Sequence, residues 1–137
     1  MGTPGARSLI LDAGALIGVE RRTGRTRATL QVAVAHGVQM YLPAPVVVEV
    51  WRGGTGRQAP LARFLNTGFA RGYLQVVSLS FEMARQIGAF LASAGAPDVG
   101  VTDAMVAWCA LRFDGNILTS DPRDLQRLVA RDRIEQV

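Results

Sequence analysis

Short apolar segments alternate with longer helical segments along almost the whole chain, and this alternation restricts the fold more than any other feature. Strands that alternate with helices are typical of a parallel sheet whose two faces are both covered by helices. We therefore predict an α/β fold with a central parallel sheet. The predicted strands are 8–11, 38–42, 73–78, 116–119 and, at an edge, 134–137.

The segments between the strands carry helical patterns, and one of them is ambiguous. The β-branched residues of Val46–Trp51 favour a strand, but Pro45 suits the first position of a helix and a strand has just ended at Leu42. We choose the helix. Residues 53–56 are glycine-rich and form either a mobile loop or a plain solvated turn. The predicted helices are 13–22, 26–35, 46–51, 59–69, 80–93, 101–113 and 122–130.

The bulk composition predicts one globular domain over residues 1–137, with residues 1–7 as a short flexible tail. Of the 137 residues, 49% are hydrophobic, which is enough to build a core. No uninterrupted apolar run reaches the length of about 18 residues that a transmembrane helix needs. We expect no membrane association and a cytoplasmic protein.

The inventory of reactive side chains excludes several classes of enzyme. The chain has no lysine, one histidine and one cysteine, which rules out a phosphate-loop lysine, a Schiff base and a cysteine zinc cluster. Cys109 lies in an apolar helical pattern and is expected to be buried, and His36 is expected to cap a helix end. Arginine supplies the net charge of +4 and suits phosphate recognition, so a nucleic-acid partner fits this composition.

Two aspartates directly follow predicted strands. Asp12 comes after the strand 8–11, and Asp121 comes after the strand 116–119 within the stretch ILTSDPRDL. If the strands are parallel, both residues lie at the carboxyl edge of the sheet, where sites form in folds of this class. Locally, Asp121 is expected to cap the helix 122–130, with Asp124 as its capping-box acid.

Two further acids lie at helix starts, which meet the same edge. Asp103 is in the first turn of its helix, just after Thr102 as the expected cap, and Glu49 is about one turn inside the helix that starts at Pro45. Helical side chains tilt towards the N-terminus, so Glu49 can lean back to the edge. A charge in a valine-rich run or in a nearly all-apolar helix is costly to bury without a partner.

Clustered carboxylates repel one another, and a divalent cation relieves the repulsion. Mg²⁺ and Mn²⁺ take oxygen ligands, activate water and hold a scissile phosphate, so metal-assisted phosphodiester hydrolysis needs neither histidine nor lysine. The simpler alternative is that each acid only complements a helix dipole, which is worth about 0.3–1 kcal/mol.

Four motifs together resemble the PIN-domain family, and more narrowly its VapC-type toxins. They are LILDAGALIG with Asp12, APVVVEVWRG with Glu49, VTDAMVAWCA with Asp103 and ILTSDPRDL with Asp121, and the resemblance covers nearly the whole chain. It implies a PIN-like three-layer α/β/α sandwich and an Mg²⁺- or Mn²⁺-dependent endoribonuclease acting on RNA. It also implies a cognate VapB-like antitoxin and a homodimer or larger toxin–antitoxin assembly.

The resemblance also assigns roles. Asp12, Glu49 and Asp103 match the family's three most regular acids and Asp121 matches the fourth, although Asp124 is not fully separable from it. Supporting and binding roles fall on a wider set. Thr119 and Ser120 are expected to hold a water or phosphate, Asp98 is a further acid or a turn residue, and Arg52, Arg57 and Arg123 are candidates to grip RNA.

Two other functions remain open from the sequence alone. One is a 5′-nuclease-like or phosphatase-type metal hydrolase that acts on DNA or small phosphates. The other is a non-catalytic, basic nucleic-acid-binding domain whose acids only cap helices. Trp51 is either part of an exposed apolar patch that an antitoxin covers or a core residue.

Overall fold

A five-stranded parallel sheet forms the centre of the molecule, in the order β3-β2-β1-β4-β5. The computed structural model describes residues 8–137, so the tail predicted for residues 1–7 lies outside the described residues. Each pair of neighbouring strands is parallel, which confirms the predicted fold class. The strands are β1 (Ser8–Leu11), β2 (Gln39–Pro43), β3 (Leu74–Val77), β4 (Gly115–Thr119) and β5 (Ile134–Gln136).

Helices flank this sheet on both sides, as in a three-layer sandwich. Helix α6 packs across β1, β2 and β4, while α1 packs on β1 and β4 and also against α2, α3 and α4. Within residues 8–137, no helix combines the length and the apolar character that a membrane span requires. The helices are α1 (Ala13–Glu20), α2 (Gly24–Ala35), α3 (Ala44–Val50), α4 (Ala59–Arg71), α5 (Phe81–Ser93) and α6 (Val101–Arg112).

The core is centred on β1, β4 and the inner face of α6. All four residues of β1 are buried, because a central parallel strand is covered on both faces. Ile10, Leu11, Ile117 and Leu118 have no exposed surface, and neither do the residues of α6 from Ala104 to Ala107. This packing fixes the carboxyl ends of β1 and β4 beside each other.

The ambiguous valine-rich segment is helical, as predicted, and forms α3 with Pro45 in its first turn. Only Val46 and Val50 are buried, and Val48 is 76% exposed. Residues four positions apart share one helix face, so a single stripe of this short helix contacts the core. The packing of that stripe overrides the strand preference of the valines.

The helix predicted over residues 122–130 is wrong. The segment instead contains a single 3₁₀ turn, Leu125–Arg127, followed by a second one, Arg131–Arg133. Some of its amides bond to carbonyls three residues back and others to carbonyls four residues back, as with Leu128 to Leu125 and Val129 to Leu125, so no regular ladder propagates. The chain has to return to the sheet as β5 within a few residues, and this prevents a full helix.

Several helix ends also differ from the prediction by one or two residues. The residue that caps α6 is Gly100, so Thr102 lies inside the first turn instead of capping it. Helix α1 ends at Glu20, two residues earlier than expected, and Arg22 follows in the left-handed region with φ of 57°.

Candidate metal centre

The four acids that the motifs single out line one cleft at the carboxyl edge of the sheet. Asp12 follows β1, Asp121 follows β4, Asp103 is in the first turn of α6, and Glu49 is near the end of α3. The cleft has a volume of about 390 Å³, and the residues that line it include no arginine or histidine. It therefore holds negative charge without a basic side chain of its own to balance that charge.

Asp12 is the most enclosed of the four acids, with 6% of its surface exposed. Burial raises the pKa of its carboxyl, and a hydrogen bond from the Thr119 hydroxyl to Asp12 Oδ2, 2.7 Å long, works in the opposite direction. The neighbouring charges of Glu49 and Asp121 raise the pKa further. Asp12 is thus held in a fixed orientation in surroundings that disfavour its charge.

Asp103 has a pKa of about 6, well above the ordinary value of 3.8. Partial burial is the largest cause, and the charges of Asp12, Asp124, Glu49 and Asp121 follow in that order. The acids therefore interact as one electrostatic group, and a bound cation would relieve their mutual repulsion.

Glu49 and Asp121 lie on the exposed side of the cleft. The expectation that Glu49 is a costly buried charge is wrong, because its face of α3 points to solvent. Thr119 connects Asp121 to the buried part of the site, since its hydroxyl oxygen accepts a hydrogen bond from the Asp121 backbone N–H at 3.1 Å. The same hydroxyl donates to Asp12, so one threonine ties the ends of β1 and β4 together.

The donor set suits a hard divalent cation. Within residues 8–137, no group of three or more histidine, cysteine, aspartate or glutamate side chains stands ready to enclose a metal ion. Mg²⁺ does not require such a cage, because it usually keeps several waters and binds one or two carboxylates together with substrate phosphates. Carboxylates around an open cleft fit that mode of binding.

Ser120 lines the cleft next to Gly14, a residue that the sequence did not single out. A Cβ atom at position 14 would lie 2.5 Å from the Ser120 backbone nitrogen and would also clash with the Ser120 side chain. The first turn of α1 and the loop after β4 can therefore approach each other only because position 14 is glycine.

Asp98 and Asp124 do not line the cleft, and both contact Arg127 instead. The guanidinium of Arg127 forms two hydrogen bonds with the Asp98 carboxylate, at 2.8 and 2.9 Å, and lies 3.6 Å from the Asp124 carboxylate. These contacts lower the pKa of Asp98 to about 2. Arg127 was not identified from the sequence. Its spacing of three residues from Asp124, which permits an ion pair within one turn, was the only local indication of its role.

The three arginines expected to grip RNA do not line the acidic cleft. The Arg52 side chain donates to the carbonyls of Val48, Glu49 and Trp51, so it caps the end of α3. Arg57 lines a separate cavity, described below. Arg123 is exposed, and its backbone N–H donates to Asp121 Oδ1 at 3.4 Å.

A buried glutamine organises the glycine-rich loop after α3, and the sequence did not indicate it. Gln58 Oε1 accepts hydrogen bonds from the backbone N–H groups of Arg52 and Gly54, and its Nε2 donates to the Val50 carbonyl at 2.7 Å. Trp51 packs against Gly54 and is 37% exposed, between the two alternatives considered for it. The loop is thus a hydrogen-bonded structure and not a plain solvated turn.

Comparison with known proteins agrees with this architecture. A family model of the PIN domain matches residues 9–131, and PIN domains are typically nucleases that generally use divalent metal ions. A chain from the crystal structure of VapBC2 from Rickettsia felis, bound to a DNA fragment from their promoter, has the same fold, with a TM-score of 0.67 and 13% identity. The match covers 94% of this chain and 98% of that one. No curated protein matches in sequence. The chain belongs to the PIN domain family.

Proposed function

We propose that this protein is a VapC-like toxin, an Mg²⁺- or Mn²⁺-dependent endoribonuclease that a VapB-like antitoxin neutralises. The observation that carries the proposal is the acidic cleft, where four carboxylates from four separate segments meet without a basic side chain. A helix-capping role for each acid would not require them to converge.

In this proposal, the residues of the cleft have separate roles. Asp12, Glu49, Asp103 and Asp121 hold the metal, and Thr119 keeps Asp12 and the Asp121 segment in register through its two hydrogen bonds. When bound, the ion supplies a water of lowered pKa and polarises the scissile phosphate. Because the pKa of Asp103 is raised to about 6, this carboxylate is mostly ionised at neutral pH and available to the cation, and protons compete with the cation as the pH falls towards 6.

The proposed partners follow from the fold and the family. Similarity in fold to a chain of VapBC2 supports a VapB-like antitoxin. The homodimer or larger toxin–antitoxin assembly is proposed from the family resemblance alone. We place the protein in the cytoplasm, as a single PIN-like domain over residues 1–137.

Cleavage of RNA by site variants tests the proposal. We expect the wild-type protein to cut RNA with Mg²⁺ or Mn²⁺ and not with EDTA, and Asp12→Asn and Asp103→Asn each to lower the rate by at least about 100-fold. Glu82→Gln is a matched control, because Glu82 is an exposed acid on α5 whose ion pair within residues 8–137 is with Arg85. Normal cleavage by either cleft variant would contradict the proposed site.

The same assay separates the other functions. Preferential cleavage of DNA or of a generic phosphoester would favour a 5′-nuclease-like or phosphatase-type hydrolase. A calorimetric titration that detects no stoichiometric Mn²⁺ site would favour a non-catalytic binding domain. Mapping the 5′ ends of cellular RNA after expression without the antitoxin would identify the target.

A further inference from the structure

A second cleft, of about 730 Å³, lies where the end of α1 meets the loop after α3 and the start of α4. Five arginines and one acid, Glu20, are among the residues that line it. We propose that this basic cleft binds phosphates of the RNA strand on one side of the cleaved bond. This inference rests on the proposed function, because it assigns the substrate of the acidic cleft a second binding surface. The arginines are Arg21, Arg22, Arg52, Arg57 and Arg63.

Two helices connect the basic cleft with the acidic one. Asp12 in the acidic cleft directly precedes helix α1, and Arg21 in the basic cleft directly follows it. Because a helix rises 1.5 Å per residue, these positions are about 14 Å apart along its axis. Glu49, near the end of α3, and Arg52, two residues after this helix ends, are three residues apart and line different clefts. A strand whose phosphate occupies the acidic cleft therefore reaches the arginines within a few nucleotides.

Four of the arginines have no acidic partner within residues 8–137. Arg21, Arg22, Arg57 and Arg63 are exposed and take part in none of the ion pairs there, and Glu20 does not pair with them although it lines the same cleft. Unpaired guanidiniums gathered around one cavity create a positive potential that attracts anions, and their planar forks match phosphate oxygens.

The backbone of Arg22 gives independent evidence that its side chain is needed. The Arg22 N–H bonds to the Val19 carbonyl and the Thr23 N–H to the Gly18 carbonyl, which together form the Schellman motif that ends α1. In this motif glycine is the usual residue at the left-handed position, yet here an arginine occupies it with φ of 57°. Strained backbone of this kind tends to be retained where function requires the side chain.

The lining of the cleft favours RNA over a protein segment as its occupant. Apart from the arginine stems, Pro60 and Ala59 are its apolar side chains, and no aromatic or large aliphatic residue lines it. Protein segments bind mainly through buried apolar and aromatic anchors. Phosphates need only the guanidiniums, and contacts to phosphates position a strand without reading its bases.

Binding of a fluorescein-labelled single-stranded RNA in EDTA, where no cleavage occurs, tests the inference. We expect Arg22→Gly, Arg57→Gln and Arg63→Gln each to weaken binding by about fivefold and the triple variant by about 100-fold. The slope of log K against log salt should become shallower by about 0.7 for each phosphate that a variant no longer binds. Arg131→Gln, an exposed arginine just before β5 at the opposite edge of the sheet, is the control and should bind normally.

Arg22→Gly also separates folding from binding. Glycine accepts the left-handed conformation without strain, so we expect this variant to unfold at the same or a higher temperature than the wild type while it binds RNA less tightly. Parallel losses of stability and affinity would contradict the inference, since they would give Arg22 only a structural role.

The outcomes distinguish this inference from the proposed function. Wild-type protein that binds RNA through the arginines but never cuts it would refute the proposed function alone. Wild-type protein that cuts RNA, with a triple variant that binds it with unchanged affinity and salt slope, would refute the basic cleft alone. If the triple variant bound the antitoxin less tightly but bound RNA with unchanged affinity, this result would also overturn the inference and assign the cleft to a protein partner.

Discussion

Asp103 shows most directly how a single side chain connects stability with the proposed chemistry. Its pKa of about 6 means that the folded, metal-free protein takes up a proton more readily than the unfolded chain does, whose carboxyl keeps the ordinary value of 3.8. Protonation therefore favours the folded state. The contribution of Asp103 to stability is present below about pH 4 and is lost as the pH rises through about 6.

The pH dependence of unfolding tests this electrostatic description. In EDTA, we expect the unfolding midpoint of Asp103→Asn to exceed that of the wild type by a few degrees at pH 7, and the difference to shrink towards pH 4, because asparagine carries no charge at any pH. Asp98 does not interfere, since its pKa of about 2 places its opposite effect below this range. A difference between the two unfolding midpoints that stays constant from pH 4 to pH 7 would contradict the raised pKa of Asp103.

At this scale, the sequence singled out the acids and Thr119, but it did not indicate the hydrogen bond by which Thr119 holds Asp12. Asp12 and Asp103 were predictable because each follows a strand or opens a helix, which is local information. Arg127 contacts Asp98 across 29 positions and Gln58 organises a loop from within the core, and neither contact leaves a local pattern. The burial expected for Glu49 was wrong because the pattern does not state which face of α3 meets the core.

Among the elements, α1 has to approach the loop after β4 closely for the acidic cleft to form. Gly14 permits this approach, and an added Cβ would press on the Ser120 backbone. The backbone cannot move aside without displacing Asp121, which follows directly. The separation of Asp12 and Asp121 is therefore sensitive to one methyl group in the first turn of α1.

Alanine substitutions at two helical glycines test this sensitivity. Alanine in place of glycine favours a helix by about 0.5–1 kcal/mol, but overpacking costs about 1–3 kcal/mol, so we expect Gly14→Ala to lower the free energy of unfolding and to reduce cleavage by at least about tenfold. Gly88→Ala is the matched control on α5, where a Cβ meets no atom within 4 Å, and it should stabilise the protein without any decrease in activity. If both variants had the same stability and the same cleavage activity, the close approach of α1 to the loop after β4 would not be needed for the cleft.

The elements themselves were largely predictable because their signals are local. Alternating apolar and helical segments predicted the parallel sheet, and Pro45 predicted α3 in spite of its valines. The helix predicted over residues 122–130 is absent for a physical reason. A capping pattern indicates where a helix can start, but it does not indicate where the helix must end for the chain to pair with the sheet as β5. The order of the strands depends on packing between distant segments, so periodicity alone does not predict it.

Across the whole molecule, the metal binding proposed for the acidic cleft would be coupled to folding. A ligand that binds only the folded state stabilises it by RT ln(1 + [L]/Kd), or about 2.7 kcal/mol at about a hundred times Kd. For a domain of this size we expect saturating Mn²⁺ to raise the unfolding temperature by roughly 8–12 °C. Asp12→Asn should abolish most of this rise, as measured by thermal unfolding with and without the ion. An equal rise in wild type and variant would indicate binding elsewhere.

The hydrogen bond between Thr119 and Asp12 joins positions 107 residues apart, because the central strand β1 is the first to be made and its neighbour β4 is among the last. Ribosomes release the chain from its N-terminus, so β1 emerges long before the strand that completes its edge of the acidic cleft. A nascent or prematurely terminated chain that ends before Thr119 lacks both this strand end and Asp121. Under the proposed function, cleavage by this cleft therefore begins only after the segment through Asp121 has been synthesised, and chains that end before Thr119 leave RNA uncut.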